Sequence, residues 1–337
     1  MKAFEWVNAS SASEAVRLLS SAPASRDMDD AARPIAGGQD LLTTMKDYTT
    51  RPVRVVNLKS IRGLNLIHGD ARRGLTIGAL VTLSQLEEHA VARASFPGLT
   101  EAAHSIATPQ IRNLGTVGGN LCQRPRCWYF RLEDVVCLKK GGSECYAAKG
   151  ENKYNAIFGG GPSYIVHPSD LAPMLVALGA SVSVVGAEGT RVIPLDKFFT
   201  LPSEGSIRRE NVLKNDDIIT QIHVPASSFA AHSTYLKFKE RESLDFALAS
   251  VAAAVQLGTN KTVTQARIVL GGVAPIPWRV PEAEKFLTGK TLSGEVLKET
   301  AKLALAGAQP LEKNAYKIPL TQTLVRRALA KAGGVPV

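Results

Sequence analysis

The 337-residue chain contains no apolar run of the roughly 18 residues that a membrane-spanning helix needs. Its opening stretch, MKAFEWVNASSASEAVRLL, lacks the unbroken apolar core of a secretory signal. These absences predict a cytoplasmic protein with no membrane span, or a periplasmic one exported as a folded complex through a partner's signal. The G-x-G-x-x-G nicotinamide fingerprint after a strand is missing, and so is the Walker A lysine motif. Acidic residues are the scarcer charge: 30 Asp and Glu against 40 Lys and Arg leave a net charge of +10. The basic residues are dispersed, with no recognition helix or RNA-binding signature, so nucleic acid is not the expected partner. Dispersed positive charge serves solubility, an anionic ligand or an acidic partner subunit. No constellation for acyl transfer or hydrolysis is present, which assigns the six histidines to structure. Internal repeats are absent too. Cysteine is missing from all of the chain except one short segment, which holds Cys122, Cys127, Cys137 and Cys145.

A chain of this length exceeds one core, and two or three domains are expected. Ala15, Val16, Leu18 and Leu19 at helical spacing predict a helix over 13–21 capped by Ser13. After the polar loop APASRDMDDAARP, RPIAGGQDLLTTMKDY reads as strand, glycine turn and a helix from about Asp40. VRVVNL is a strand. GLTIGALVTLSQLEEHA runs from strand to helix with Ser84 as cap, and SFPGLTEAAHSI is a helix from Pro97. The stretch TPQIRNLGTVGGNLCQRPRCWYF then reads as glycine-rich coil. SYIVHPSDLAPMLVALGASVSVVG predicts strand, turn, helix and strand, and DDIITQIHVP a strand closed by Pro225. The Ala/Ser-rich tract 226–233 marks a domain boundary. Beyond it, STYLKFKERE, ALASVAAAVQL and TQARIVLGGVAP predict strands, and 293–307 and 321–332 helices. The layout is α+β, with a separate C-terminal unit.

Two glycine motifs stand out, the first between an apolar strand and a probable helix start, the second within the glycine-rich coil. IAGGQDLL carries Gly37 and Gly38; GTVGGN carries Gly115, Gly118 and Gly119 beside Thr116 and Asn120. Without a Cβ, backbone N–H groups can converge on an anion, and Thr116 and Asn120 add side-chain donors suited to a pyrophosphate. Each pair also fits a plain tight turn.

The four cysteines are spaced C-x4-C, C-x9-C and C-x7-C. Structural zinc sites use paired C-x2-C knuckles. An iron–sulfur cluster needs only four convergent thiolates, and disulfides or free thiols remain open as well. Arg112, Arg124 and Arg126 suit a pyrophosphate, an acidic partner or a solvated loop. Trp128, Tyr129 and Phe130 suit a cofactor cover or loop packing.

Taken together, IAGGQDLL, QIRNLGTVGGNLCQRPRCWYFR, HPSDLAPMLVALGA and RIVLGGVAPIPWR resemble the FAD-binding medium subunit of molybdenum hydroxylases, the xanthine dehydrogenase family. The match runs in order along nearly the whole chain and is nearest to members with an extra [4Fe–4S] insertion. The resemblance implies a two-part FAD-binding domain of the vanillyl-alcohol-oxidase (PCMH) type over 1–227, with parts of about 1–57 and 58–227 and a cysteine-containing insertion at 122–160. A smaller α+β C-terminal domain of the CO dehydrogenase flavoprotein type would fill 228–337.

Carried over by position, Pro34, Ile35, Ala36, Gly37, Gly38, Gln39, Asp40 and Leu41 would hold the FAD pyrophosphate from one side. Thr116, Val117, Gly118, Gly119 and Asn120 would hold it from the other. Ile106, Asp170, Ile219 and Lys237 would lie along the rest of the cofactor, Asp170 doubling as cap of a helix over 171–178, and Lys237 favouring the reduced anionic flavin. Cys127, Cys137 and Cys145 match three ligands of the [4Fe–4S] cluster. The fourth is expected where this chain has Ser163, and Cys122 is the substitute. The function implied is an electron-transfer oxidoreductase subunit with no catalytic acid–base residue of its own. Its partners would be a large molybdopterin-binding subunit and a small [2Fe–2S] subunit. A stand-alone FAD oxidoreductase and a basic binding protein without flavin are the rival readings.

Overall fold

A computed structural model describes residues 1–22, 32–227 and 229–336. Most of the polar loop expected after the first helix, and Ser228 in the expected boundary, lie outside the described residues.

The N-terminal part is a parallel sheet of β1 (Glu5–Asn8), β2 (Arg33–Ile35) and β3 (Arg54–Asn57) in the order β1-β3-β2. Parallel neighbours require crossovers. Helices Ala12–Ser20 and Leu41–Lys46 cover opposite faces, because Val55 and Val56 alternate across the pleat. One helix packs Ala15, Val16 and Leu19 with Val56 and Leu58. The other packs Met45 with Ile35 and Val55. The first helix begins at Ala12, with Ser11 rather than Ser13 as its cap: the Ser11 hydroxyl accepts the Glu14 N–H at 3.1 Å. Ser11 precedes Glu14 by the spacing at which a cap hydroxyl reaches the third helical N–H.

An antiparallel sheet follows, built from β4 (Ile67–Asp70), β5 (Gly74–Gly78), β6 (Ser181–Gly186), β7 (Gly189–Pro194) and β8 (Ile218–Val224) in the order β4-β5-β8-β6-β7. Between β5 and β6 the chain makes the helices Leu83–Glu88, Pro97–His104 and Leu171–Ala177. They bury Leu86, Leu99, Leu171 and Leu175 against Ile77, Val182 and Ile222. The helix Leu83–Glu88 is capped by Thr82, not Ser84, in a reciprocal box with Gln85 (3.2 and 2.9 Å). Ser84 turns away to donate to Asn113 Oδ1 at 2.6 Å. SYIV is not a strand; the Tyr164 carbonyl is taken by the Ala156 N–H and Asn155 Nδ2 instead of a sheet neighbour.

The C-terminal part is an antiparallel sheet of β9 (Ser233–Phe238), β10 (Ala249–Leu257), β11 (Val263–Gly271) and β12 (Trp278–Arg279) in the order β12-β11-β10-β9. Ala252, Ala254 and Val269 face the helices that cover the preceding sheet. Val251, Ala253, Val255, Ile268 and Leu270 face Pro281–Leu287, Gly294–Ala304 and Lys317–Gly333. Burial on both faces explains the unbroken apolar run of β10. The last helix begins at Lys317 rather than 321, since Pro319 falls in its first turn, where proline is tolerated. The whole is an α+β fold of two domains.

Candidate functional site

The segment 108–130 is not coil. Thr108 and Thr116 accept the N–H groups of Ile111 and Gly119, at 3.4 and 3.2 Å, and so cap the short helices Pro109–Leu114 and Val117–Leu121. Pro109 occupies the first helical position, where its missing N–H costs nothing. Gly118 lies where a Cβ would come 2.8 Å from the Ala79 Cβ, so that strand and helix touch through backbone. At Gly37 a Cβ would stand 2.0 Å from the Leu114 carbonyl oxygen. The two glycine loops, far apart in sequence, are therefore in direct contact.

Their junction opens into a cavity of about 440 Å3, lined by Pro34 to Leu41 on one side and Thr116, Gly119 and Asn120 on the other. Ile106 and Asp170 line its far end. An adjoining cavity of about 210 Å3 is bounded by Pro34, Ala36, Gly118, Gly119 and Ile219. Val117 lines neither: it is buried in the core and its N–H donates to the Val81 carbonyl at 2.9 Å.

The two loops offer different chemistry. None of the N–H groups from Gly37 to Leu41 donates to another described residue, so this loop presents a run of unpaired donors. In the second loop the N–H groups of Val117, Gly118, Gly119 and Asn120 are consumed by Val81, Ala79 and Thr116. That side therefore offers side chains, the Thr116 hydroxyl and the Asn120 amide, rather than a second nest. A run of free N–H donors, a backbone contact that admits no Cβ and an elongated cavity fit a dinucleotide held at its diphosphate.

Asp170 and Lys237, chosen separately from the sequence, meet here. Lys237 Nζ lies 2.7 Å from Asp170 Oδ2 and also donates to the Ser105 carbonyl at 3.1 Å. Tyr235, which sequence reading missed, donates its hydroxyl to Asp170 Oδ1 at 2.7 Å. Burial, and then the Asp170 charge, push the Tyr235 phenol well above its usual range, so it stays a donor. Asp170 makes no side-chain cap bond; Ser169 caps instead, accepting the Ala172 N–H at 3.0 Å. Because Asp170 matches the Lys237 charge, the cavity end sees an ion pair and not a free cation.

Asp40, on the cavity wall, is engaged by the cysteine segment. It accepts from the Arg124 N–H at 2.7 Å, from Arg131 at 2.8 Å and from Arg126 at 3.0 Å. Burial alone would raise its pKa, yet the charges of Arg126 and Arg131 outweigh that and lower it. Arg112 pairs with Glu87 at 2.9 Å, and Arg124 with the buried Glu210 at 2.8 Å. The basic loop is thus paired within the fold, with Asp40 shared by Arg126 and Arg131, and Glu210 by Arg124 and Lys139. Phe130 is buried under the Arg124 and Arg131 guanidiniums, whereas Trp128 stands exposed beside Tyr154.

The four-cysteine cluster set does not assemble. Cys122 lines the two cavities at the glycine loops, and burial, then Glu210, push its thiol up to about 12. Cys127 lies elsewhere, within the electrostatic reach of Cys145, and burial raises its pKa as well. Among the described residues, no three of His, Cys, Asp and Glu converge closely enough to hold a metal ion. Ser163, at the expected fourth position, is buried. Cys122 itself stands at the cleft, its helix placed by the glycine contact with Ala79.

This cleft defines a dinucleotide-binding protein. Residues 2–227 match the family of the FAD binding domain in molybdopterin dehydrogenase, and 233–332 match the CO dehydrogenase flavoprotein C-terminal domain. The aldehyde oxidoreductase FAD-binding subunit PaoB of Escherichia coli K12 is 33% identical, over 98% of this chain and 99% of its own length. The putative xanthine dehydrogenase FAD-binding subunit XdhB of the same organism is 26% identical, over 97% and 96%. The carbon monoxide dehydrogenase structure from Hydrogenophaga pseudoflava superposes with a TM-score of 0.76 at 28% identity, covering 99% of this chain and 98% of that one. The chain belongs to the FAD-binding medium subunits of the molybdenum hydroxylase family. No helix among the described residues is long and apolar enough to cross a membrane.

Proposed function

We propose that the chain relays electrons within a heteromeric molybdenum hydroxylase, between a small [2Fe–2S] subunit and an external acceptor, with substrate oxidised on a large molybdopterin subunit. Bound FAD supplies the redox chemistry. The chain's own residues bind and orient. Gly37 to Leu41 offer N–H donors to the diphosphate; Thr116 and Asn120 offer side chains from the opposite loop; Ile106 and Ile219 give apolar walls. Asp170, held by Tyr235 and Lys237, fixes a polar group at the far end. The complex works in the cytoplasm, or after export as a folded unit.

The observation that carries this reading is the contact of the two glycine loops, 2.0 Å from a Gly37 Cβ position to the Leu114 oxygen, beside a run of unpaired donors. The test is flavin content of the purified chain, followed by reconstitution with the proposed molybdopterin and [2Fe–2S] subunits. Stoichiometric FAD that is bleached by substrate only in the assembled complex is expected. Bleaching by a substrate without partners would instead identify a stand-alone oxidoreductase.

A further inference from the structure

Between the helices Pro97–His104 and Pro109–Leu114 runs a short connector, 105–108, whose Ile106 and Ala107 line the flavin cleft. It belongs to no sheet, yet three successive carbonyls in it are each held by a different part of the chain. Lys237 Nζ, from β9, donates to the Ser105 carbonyl at 3.1 Å, Arg112 Nη1 to that of Ile106 at 2.9 Å, and the Leu244 N–H to that of Ala107 at 3.3 Å. Ala107 is held at a φ of +46°, a left-handed conformation that an L residue adopts only at a cost. Such a residue persists where its surroundings over-determine it. Among the three ties, that of Arg112 is set apart, because Arg112 is buried and does not itself line the cleft. Its Nε pairs with Glu87 at 2.9 Å, and the other Glu87 oxygen meets His104 Nδ1 at 2.7 Å. A guanidinium makes both bonds at once because its donors form a planar fork, where an ammonium acts as a point charge. Burying a cation is costly even when it is paired, and an apolar side chain would pack there at less cost. What the guanidinium adds is a directed bond to a carbonyl on the cleft wall. The helix that carries it ends at Leu114, whose carbonyl is the one that Gly37 meets. Arg112 therefore links the glycine junction to the Ile106 wall.

We propose that Arg112 is a positioning residue for the flavin: it fixes Ile106 relative to the glycine junction, and so sets how closely the cleft fits the cofactor. The inference rests on the flavin reading above. Arg112 acts through the Ile106 backbone and not by contact with the diphosphate, although its place in a basic, glycine-rich stretch suggests such a contact.

The test compares FAD dissociation constants, read from flavin fluorescence on dilution of the purified FAD-containing chain, with the visible flavin spectrum of the same samples. Arg112→Met should weaken FAD binding about tenfold, as loss of one charge-assisted hydrogen bond does, and should shift the visible bands. Ile106→Ala should give a loss of similar size. Combined, the two should cost little more than the larger single loss, because both remove the same wall. Losses that instead multiply, to about a hundredfold, would overturn the proposal and assign Arg112 to the fold at large. Wild-type affinity and an unshifted spectrum in Arg112→Met would overturn it as well. Because Arg112→Met strands the Glu87 charge, the comparison is repeated in Glu87→Gln with Arg112→Met, which leaves no lone carboxylate. The shared loss with Ile106→Ala should persist in that background, and independent losses there would again count against the proposal. A wild-type chain purified without FAD would remove the parent reading instead, and its absorbance reports this before any variant is made.

Discussion

Lys237 Nζ sits 2.7 Å from Asp170 Oδ2, both side chains almost fully buried, and the pair joins the C-terminal sheet to the helix at the end of the flavin cleft. Removing one partner leaves the other charged in a site with little water. Asp170→Asn should therefore lower unfolding free energy by about 3 kcal/mol and abolish most flavin retention. Replacing both partners, Asp170→Asn with Lys237→Met, should recover much of the stability, since no lone charge remains. Denaturant unfolding and the flavin-to-protein ratio, measured on the same samples, separate the effects. Flavin that returns together with stability in the double variant would show that Asp170 acts only through the fold.

Gly37→Ala tests the contact between the loops. The added methyl group would meet a carbonyl oxygen at 2.0 Å, and that oxygen is backbone, unable to swing aside. The loops must part, and flavin content should fall at least about tenfold, equivalent to a loss of roughly 1.4 kcal/mol in binding. Gly294→Ala, at a helix start with nothing near its Cβ position, is the control and should retain full flavin. Equal flavin in both variants would mean that the junction does not hold the diphosphate.

The parts of this site that were legible in the sequence are those whose chemistry is local. The first glycine loop announces itself because strand, turn and helix start are consecutive, the second by its density of glycine beside Thr116 and Asn120, and Asp170 because HPSD leads directly into an apolar helix. What stayed hidden depends on distant partners. Arg126 reads as a generic cation until Asp40 and Phe246 fold against it. Tyr235 looks like an ordinary strand aromatic, and only the tertiary fold brings its hydroxyl to Asp170. The cysteine positions likewise depend on the tertiary fold: Cys122 is near Cys127 in the chain, yet one lines the glycine cleft and the other the cavity beside Trp128. Cap positions slipped by two residues because Ser11 and Thr82 compete with equally suitable neighbours.

His167 gives the fold an acid limit. Burial lowers its pKa from 6.5 to about 4, against an opposing pull from Glu210, with Lys139 adding to the lowering. Between those values the unfolded chain takes up a proton that the folded chain refuses, so stability falls as pH drops from 6.5 to 4. The difference corresponds to on the order of 3 kcal/mol. Titrating carboxylates overlap this range, and the useful quantity is the gap between wild type and His167→Gln in urea unfolding. That gap should shift against the wild type on acidification. A gap independent of pH would mean His167 titrates normally.

Lys317 acts at the other end of the pH scale and ties the last helix to the cavity beside Trp128. Its Nζ donates to the Tyr154 carbonyl at 2.9 Å and the Gly272 carbonyl at 2.7 Å, and both residues line that cavity. Its partners are carbonyls rather than carboxylates, and burial lowers its pKa from 10.5 to about 7. The sign is opposite to that of a salt-bridged lysine. Above pH 7 the unfolded chain binds the proton more readily, so this residue's contribution to stability grows as pH rises toward 10.5. Lys317→Met removes the titration but also the two bonds that anchor Tyr154. The stability of wild type relative to Lys317→Met should therefore increase steadily between pH 7 and 10, by a few kcal/mol as an order of magnitude. A flat stability difference across that range would show the ammonium group to be stably charged in its buried position.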